Sequence, residues 1–425
     1  MMATYLAIIA HDPIIARDGR PFGVGQRMKS LDWPYPSVLA GSMRTMLGKM
    51  NGGFSDENIK ELLDLKIAGP LPMKGTRLYL PIPKDLLARK AGEKIVAVPL
   101  RPVAMSDGED CDLPRDSILP TMLPEAIEEF KPEPVPAFWS IGRMTAWLTN
   151  PSGSDFPLYP DSDANKNGGE ISQECKKEDQ DFLDAPEKDE RVHAGIDPES
   201  GTAEDGLLFM SVGLDLATRC QGRGILLAAR IESDGIFDKQ IRELNEIHPF
   251  GGERRLVQWS RIDEPIGWNC PDKVSSKLRE LDSGKIRMVL ATPAIFSNGW
   301  LPGWLNPKTQ EDGKEILEGI PPGATDGQKL KLISACVDRW KPISGWSTEA
   351  KSRGAKAIRR MVPAGSVYFF EAQNGKEASA LAKSRWLESV CDKPQDCKDG
   401  FGLAVWGVWE EAEKVDKTNN NKDRS

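Results

Sequence analysis

The chain has 425 residues, a formal net charge of −8, 39% hydrophobic and 28% charged residues. That composition excludes a membrane-embedded or wholly unfolded protein and, at roughly 150 residues per domain, requires two or three folding units. Glycine (39) and proline (32) together exceed the usual share, which excludes an all-helical bundle and demands long, turn-rich loops. The negative charge is concentrated in two segments, residues 106–133 at −7 and residues 161–205 at −10, leaving +9 on the rest of the chain.

Residues 4–10 (TYLAIIA) are a run of β-formers and predict a first strand, followed by a turn-rich loop to Pro36. Ser37 offers an N-cap, and Val38, Leu39, Met43, Met46, Leu47 and Met50 repeat near the helical period, predicting a helix over 38–50 with Arg44 on its polar side. Residues 51–205 read as an insertion between this helix and the second strand. Pro114, Pro120 and Pro124 punctuate its first acidic segment, and residues 161–190, poor in apolar periodicity, are expected to be mobile and solvated. The regular pattern resumes with strands over 206–216 (GLLFMSVGLDL) and 224–231 (GILLAARI), a helix over 238–248, a Gly251-Gly252 loop and a strand over 256–259.

A similar succession follows. Residues 286–295 predict a strand, 328–340 a helix, 364–371 a strand and 377–391 a helix, before the Gly400-Phe401-Gly402 turn and a strand over 403–409. The strand needed to complete the pattern is placed near 356–361. In both halves a helix, a glycine pair and a strand bearing Trp (Trp259; Trp406 and Trp409) come in that order. The expected fold class is therefore α+β, two tandem ferredoxin-like (RRM-like, βαββαβ) domains with long insertions. The first covers 1–262 with 51–205 inserted, the second 263–410, and 411–425 is expected to be a disordered tail.

The seven cysteines are dispersed without a C-x-x-C pair, and His11, His193 and His248 are far apart, so no zinc framework is readable and no metal or cofactor is expected. Neither G-x-x-x-x-G-K-[ST] nor a strand-to-helix G-x-G-x-x-G occurs, which argues against ATP hydrolysis and dinucleotide chemistry. His11, Asp12 and Pro13 cut the first apolar run too early for a signal peptide, so a cytoplasmic location without membrane contact is expected.

The remaining features point to RNA. Gly251-Gly252 and Gly400-Phe401-Gly402 leave backbone N–H groups uncrowded for a phosphate or base edge, although the same residues suit a turn and an edge-strand bulge. Residues 341–360 hold Lys341, Lys351, Arg353, Lys356, Arg359 and Arg360 against Glu349 alone, beside Trp340 and Trp346. Cations interleaved with aromatics suit single-stranded RNA as well as a solvated face. The candidate RNA-binding set is His11, Arg17, Arg20, Arg44, Gly251, Gly252, Arg254, Arg255, Lys351, Arg353, Lys356, Gly400, Phe401 and Gly402. His11 is also the one candidate general acid or base for metal-independent RNA cleavage, with no paired carboxylates or serine triad beside it.

Several blocks resemble a known family. They are Asp12-Pro13 with Arg17-Asp18-Gly19-Arg20-Pro21-Phe22, residues 34–44 (PYPSVLAGSMR), Gly251-Gly252-Glu253-Arg254-Arg255, Ala291-Thr292-Pro293-Ala294 with Gly299-Trp300-Leu301-Pro302, residues 363–368 (PAGSVY) and Gly400-Phe401-Gly402-Leu403-Ala404. In this order they resemble the third-subunit family of the Cmr complex, repeat-associated mysterious proteins (RAMPs) of type III-B CRISPR effectors. The resemblance implies an RNA-binding subunit of a CRISPR RNA-guided interference complex. Such a subunit caps and holds the 5′ handle of the CRISPR RNA against the large polymerase-like subunit and the backbone RAMP subunit, while other subunits cut the target. Two alternatives accompany it, the equivalent type III-A subunit and a metal-independent endoribonuclease processing repeat RNA, because RNA-processing relatives place a catalytic His near the position of His11.

Overall fold

The computed structural model of the chain describes residues 2–17, 30–105, 111, 113, 115, 117–124, 127, 129–150, 156–158, 181–217, 224–311, 313–347 and 353–411. The expected tail from 412 on, the stretch 161–180, Arg20 and Lys351 lie outside the described residues.

Strand β1 (Met2–Ala10) arises from the predicted run and sends Leu6 and Ile8 to one face of its sheet and Ala7 to the other. Helix α1 (Pro36–Met50) begins earlier than expected. Tyr35 is its N-cap, Pro36 supplies a φ suited to the first helical position, and Ser37 lies inside the helix. Next comes helix α2 (Asp56–Asp64), capped by Ser55 and not expected from the sequence. The second strand is β2 (Lys66–Lys74), inside the stretch expected as an insertion. Pro70 and Pro72 disguise it as a loop, and a register shift opposite Ala228 to Arg230 accommodates the irregular backbone.

Strand β3 (Arg77–Pro81), strand β4 (Phe138–Ser140), helix α3 (Ile141–Thr149) and strand β5 (Phe182–Leu183) follow. The chain then enters a long hairpin, Glu187–Ile196 paired with Ala203–Asp215. The strand predicted over 206–216 therefore belongs to this hairpin and not to the sheet, and residues 187–190, expected to be mobile, are paired within it. Strand β6 (Leu226–Ser233) forms as predicted. The helix predicted over 238–248 stops at Arg242, because Pro249 disfavours helix in the residue before it and Asn245–Pro249 pairs as edge strand β7 with β8 (Leu256–Ile262). The sheet order is β5-β4-β3-β2-β6-β1-β8-β7.

Between β8 and the first strand of the second sheet lies helix α4 (Asp272–Leu281), not expected from the sequence. Strands β9 (Lys285–Leu290), β10 (Leu305–Thr309), β11 (Glu315–Gly319), β12 (Leu330–Cys336) and β13 (Val367–Ala372) precede helix α5 (Gly375–Ser384), and strands β14 (Glu388–Ser389) and β15 (Leu403–Val408) close the fold. Their order is β10-β11-β12-β13-β9-β15-β14. The helix predicted over 328–340 is strand β12, where Leu330 and Leu332 are buried and Lys331 is not, the alternation of a strand. Near 356–361 only Arg359–Met361 pairs, with Lys341–Ile343, outside the main sheet. The helix predicted to run to 391 ends at Ser384. The fold is a mixed α and β one in which both main sheets are antiparallel.

The cores do not divide as the halves do. One packs Leu39, Met43 and Leu47 of α1 with Leu6, Ile8 and Ile67. The other runs from the opposite face of the first sheet (Ala7, Ala68, Leu71, Ala228) into the second sheet and its helices (Met288, Phe370, Leu381, Trp406), so the first sheet is covered on both sides. Within the first acidic segment, Ile118 and Leu119 are pinned here: Ile118 is buried, Leu119 N–H donates to the Ile333 carbonyl at 2.8 Å, and Ser334 Oγ donates to the Leu119 carbonyl at 2.6 Å.

Between the sheets Arg287 of β9 is buried against Asp85 and Trp147. Its Nη1 donates to Asp85 Oδ2 at 2.5 Å, its Nη2 to the Trp147 carbonyl, and Trp147 Nε1 donates to Asp85 Oδ1 at 3.0 Å. Removing either partner strands a buried charge, so Arg287→Met or Asp85→Leu alone lowers unfolding free energy by about 3–5 kcal/mol, and combining them restores most of the loss. Urea denaturation of wild type, both single variants and the double variant checks this.

Candidate nucleic-acid interface

The loop after β1 and the loop before β8 are held together by backbone bonds. His11 N–H donates to the Leu256 carbonyl at 3.2 Å and Gly252 N–H to the Ile15 carbonyl at 2.7 Å. Leu256 N–H donates to Asp12 Oδ2 at 3.4 Å, and Gly251 N–H to Ser42 Oγ of α1 at 3.3 Å. Gly251 is required here: its φ is +74°, and a Cβ would stand 2.4 Å from the Ile15 carbonyl oxygen. The structure thus gathers His11, Gly251, Gly252, Arg254 and Arg255 at one end of the first sheet, with Arg17 two residues beyond Ile15.

His11, Arg17 and Arg254 are exposed. Arg255 is more enclosed and pairs with Glu253 at 3.1 Å. The neighbouring hairpin brings Asp189, whose carboxyl is held below its usual range chiefly by the hydrogen bond from Arg191, with Arg255 contributing more weakly. No side chain among the described residues hydrogen-bonds the His11 imidazole, and none of their His, Cys, Asp or Glu clusters could hold a metal.

Arg44 does not join this end. Its Nε donates to the Leu62 carbonyl at 2.7 Å and its Nη1 pairs with Asp399 at 2.6 Å, clamping α1 to the end of α2 and to the turn before Gly400. Gly400, Phe401 and Gly402 are buried, and so offer RNA no surface. The glycines answer to the protein's own backbone. At Gly400, with φ +88°, a Cβ would stand 2.5 Å from the Ile67 carbonyl oxygen, and at Gly402, with φ +67°, 2.7 Å from Cys391 Sγ. Gly402 N–H donates to the Pro293 carbonyl and Thr292 Oγ1 to the Gly400 carbonyl, each at 2.8 Å.

Arg353 and Lys356 are exposed on a separate arm, built from Lys341–Ile343 with Arg359–Met361 and from Trp346–Ser347 with Gly354–Ala355. Arg360, present in the basic stretch but absent from the candidate set, lies 4.8 Å over the exposed Trp340 ring. Its signal in the sequence is the same alternation of cations and tryptophans. Ser30, which forms a bridge with Arg17 of the end cluster, lines a cleft that Trp340, Lys341 and Pro342 at the root of the arm also line.

Because the 400–402 turn is spent inside the protein, Gly400→Ala is expected to cost about 1–3 kcal/mol of stability, seen as a lowered melting temperature. RNA affinity per folded molecule should stay unchanged, whereas a selective loss of RNA binding at full stability would put this turn back at the interface.

Residues 6–409 match the profile of a family described as CRISPR-associated protein (Cas_Cmr3). No curated protein matches the chain. Among solved structures, a chain of the type III-B Cmr-beta complex bound to cognate target RNA is similar at 14% identity and a TM-score of 0.44, over 86% of each chain. A chain of the Csm3-Csm4 subcomplex of the type III-A CRISPR-Cas interference complex is similar at 9% identity and a TM-score of 0.36, over 87% of this chain and 97% of that one. Likeness that loose leaves the assignment resting on the profile match, which spans nearly the whole sequence: the chain belongs to the Cas_Cmr3 family of CRISPR-associated proteins.

Proposed function

We propose that the chain is the RNA-binding subunit of a type III-B CRISPR RNA-guided interference complex in the cytoplasm, that it caps and holds the 5′ handle of the CRISPR RNA, and that it leaves cleavage to other subunits. Its partners on this reading are the large polymerase-like subunit and the backbone RAMP subunit. Family membership supports the setting. The observation that carries RNA contact is the exposed basic end of the first sheet, where His11, Arg17 and Arg254 stand on two loops tied together by hydrogen bonds. Backbone phosphates dominate nucleic-acid affinity, and the chain outside its two acidic segments carries +9.

The fold supports the same reading. Four strands of each main sheet, β2-β6-β1-β8 and β12-β13-β9-β15, follow the spatial order expected of a split βαβ unit. We take them as two ferredoxin-like domains, 1–262 and 263–410, with the long insertion falling between β2 and β6. In the second, no α-helix among the described residues connects β9 to β12, and α4, which precedes β9, packs beside α5 instead.

Filter binding at several salt concentrations tests the interface. Arg254→Ala should weaken handle-bearing and unrelated RNA alike and lower the salt slope by about one unit. An unchanged slope for both Arg254→Ala and Arg17→Ala would remove this end of the sheet from the interface. Labelled repeat RNA incubated with the protein in EDTA should stay intact; cleavage abolished by His11→Ala would instead make the protein a nuclease.

A further inference from the structure

Where the two halves meet at the root of the basic arm there is a cleft of about 380 Å³. Trp33, Tyr35, Phe138 and Trp340 line it together with eight prolines, so its walls are flat, rigid and mostly apolar. Trp33 Nε1 already donates to the Pro70 carbonyl at 2.9 Å, which fixes that ring as a wall. Lys341 stands in the lining, Arg360 lies against Trp340, and the arm beyond carries Arg353 and Lys356 with no acidic residue among its described positions. The one carboxylate in the lining, Asp32, is paired with Lys188 at 2.8 Å.

A mostly apolar, aromatic-walled slot with one cation in its lining, a second over its Trp340 wall and exposed cations on the arm beyond suits one unpaired nucleobase and the phosphates that follow it. Bases have two apolar faces that stack on aromatic rings regardless of sequence, and the backbone they hang from is anionic. A proline-rich or neutral peptide would satisfy the walls and leave the cations unused. We propose that this cleft receives a single everted base of a single-stranded RNA, stacked against the Trp340 side, with Lys341 and Arg360 at the adjoining phosphate. The proposal rests on the RNA-binding reading above and adds to it a second point of contact, whose lining includes Ser30, the bridge partner of Arg17.

The test uses the full chain, a ten-nucleotide oligoadenylate carrying one 2-aminopurine, and inorganic polyphosphate as a polyanion without bases. Trp340→Ala removes a wall and Ala364→Phe fills the slot from its rim. Each variant, with its melting temperature unchanged, should weaken oligoadenylate by about ten-fold and reduce 2-aminopurine quenching, while polyphosphate binding stays at the wild-type level. If wild type binds the RNA and both folded variants bind it equally well, or if they lose RNA and polyphosphate alike, the cleft is not a base site and the RNA-binding reading survives. If wild type binds neither probe, the RNA-binding reading fails and the cleft assignment fails with it.

Discussion

The contact on which the molecule most depends is the buried meeting of Arg287, Asp85 and Trp147. Moving a guanidinium and a carboxylate out of water costs several kcal/mol per ion, and only well-placed partners offset that. Here the partners come from different parts of the chain: Asp85 follows β3, Trp147 lies on α3, and Arg287 is on β9. The second sheet therefore has one seating on the first. Other contacts agree with that seating. Gly407 of β15 leaves room for Leu148 of α3, where a Cβ would come within 2.6 Å of its carbonyl oxygen, and Lys84 N–H donates to the Gly365 carbonyl at 2.8 Å.

This seam explains why some glycines and cations were open to two interpretations. A glycine needed because a backbone approaches closely looks the same in sequence whether the visitor is RNA or the protein's own strand. Gly251 and Gly400 both have left-handed φ values, and at each an added Cβ would come within 2.5 Å of a carbonyl oxygen, too close to fit. One lies in an exposed loop between cations, the other inside a core. Arg44 likewise sits on the polar side of α1, as its helical position implies. What uses that polar side is Asp399, brought there only by the fold of the other half.

Much of the architecture was legible because it follows from period alone. Strands β1, β6, β9, β13 and β15 are apolar runs of β-formers, and α1 repeats at the helical spacing. The misses have physical causes. Pro70 and Pro72 hide β2, the Lys329-Leu330-Lys331-Leu332 alternation of β12 was submerged in a longer amphipathic window, and α4, which buries only Val274, Ser275 and Leu278, is polar enough to resemble a linker. Of the candidate interface, the glycine and cation pattern picked out His11, Arg17, Gly251, Gly252, Arg254 and Arg255, which lie together, but in the same set also Arg44 and the 400–402 turn, which do not join them. The cleft was not legible, because its walls come from seven separate stretches of sequence.

The place of β1 has a consequence for synthesis. It is a central strand, and both neighbours, β6 and β8, lie more than two hundred residues downstream, with Met2 opposite Ser233 and Tyr5 opposite Ile262. At ordinary elongation speeds the ribosome takes on the order of ten to forty seconds to deliver them. During that interval α1 and β2 are already available, but β2 is not adjacent to β1, since β6 belongs between them. The nascent chain thus carries two apolar strands with a strand-wide gap, sheltered on one side by α1 and open on the other. Its solubility in that window rests on whatever holds the gap until β6 arrives to zip both edges at once.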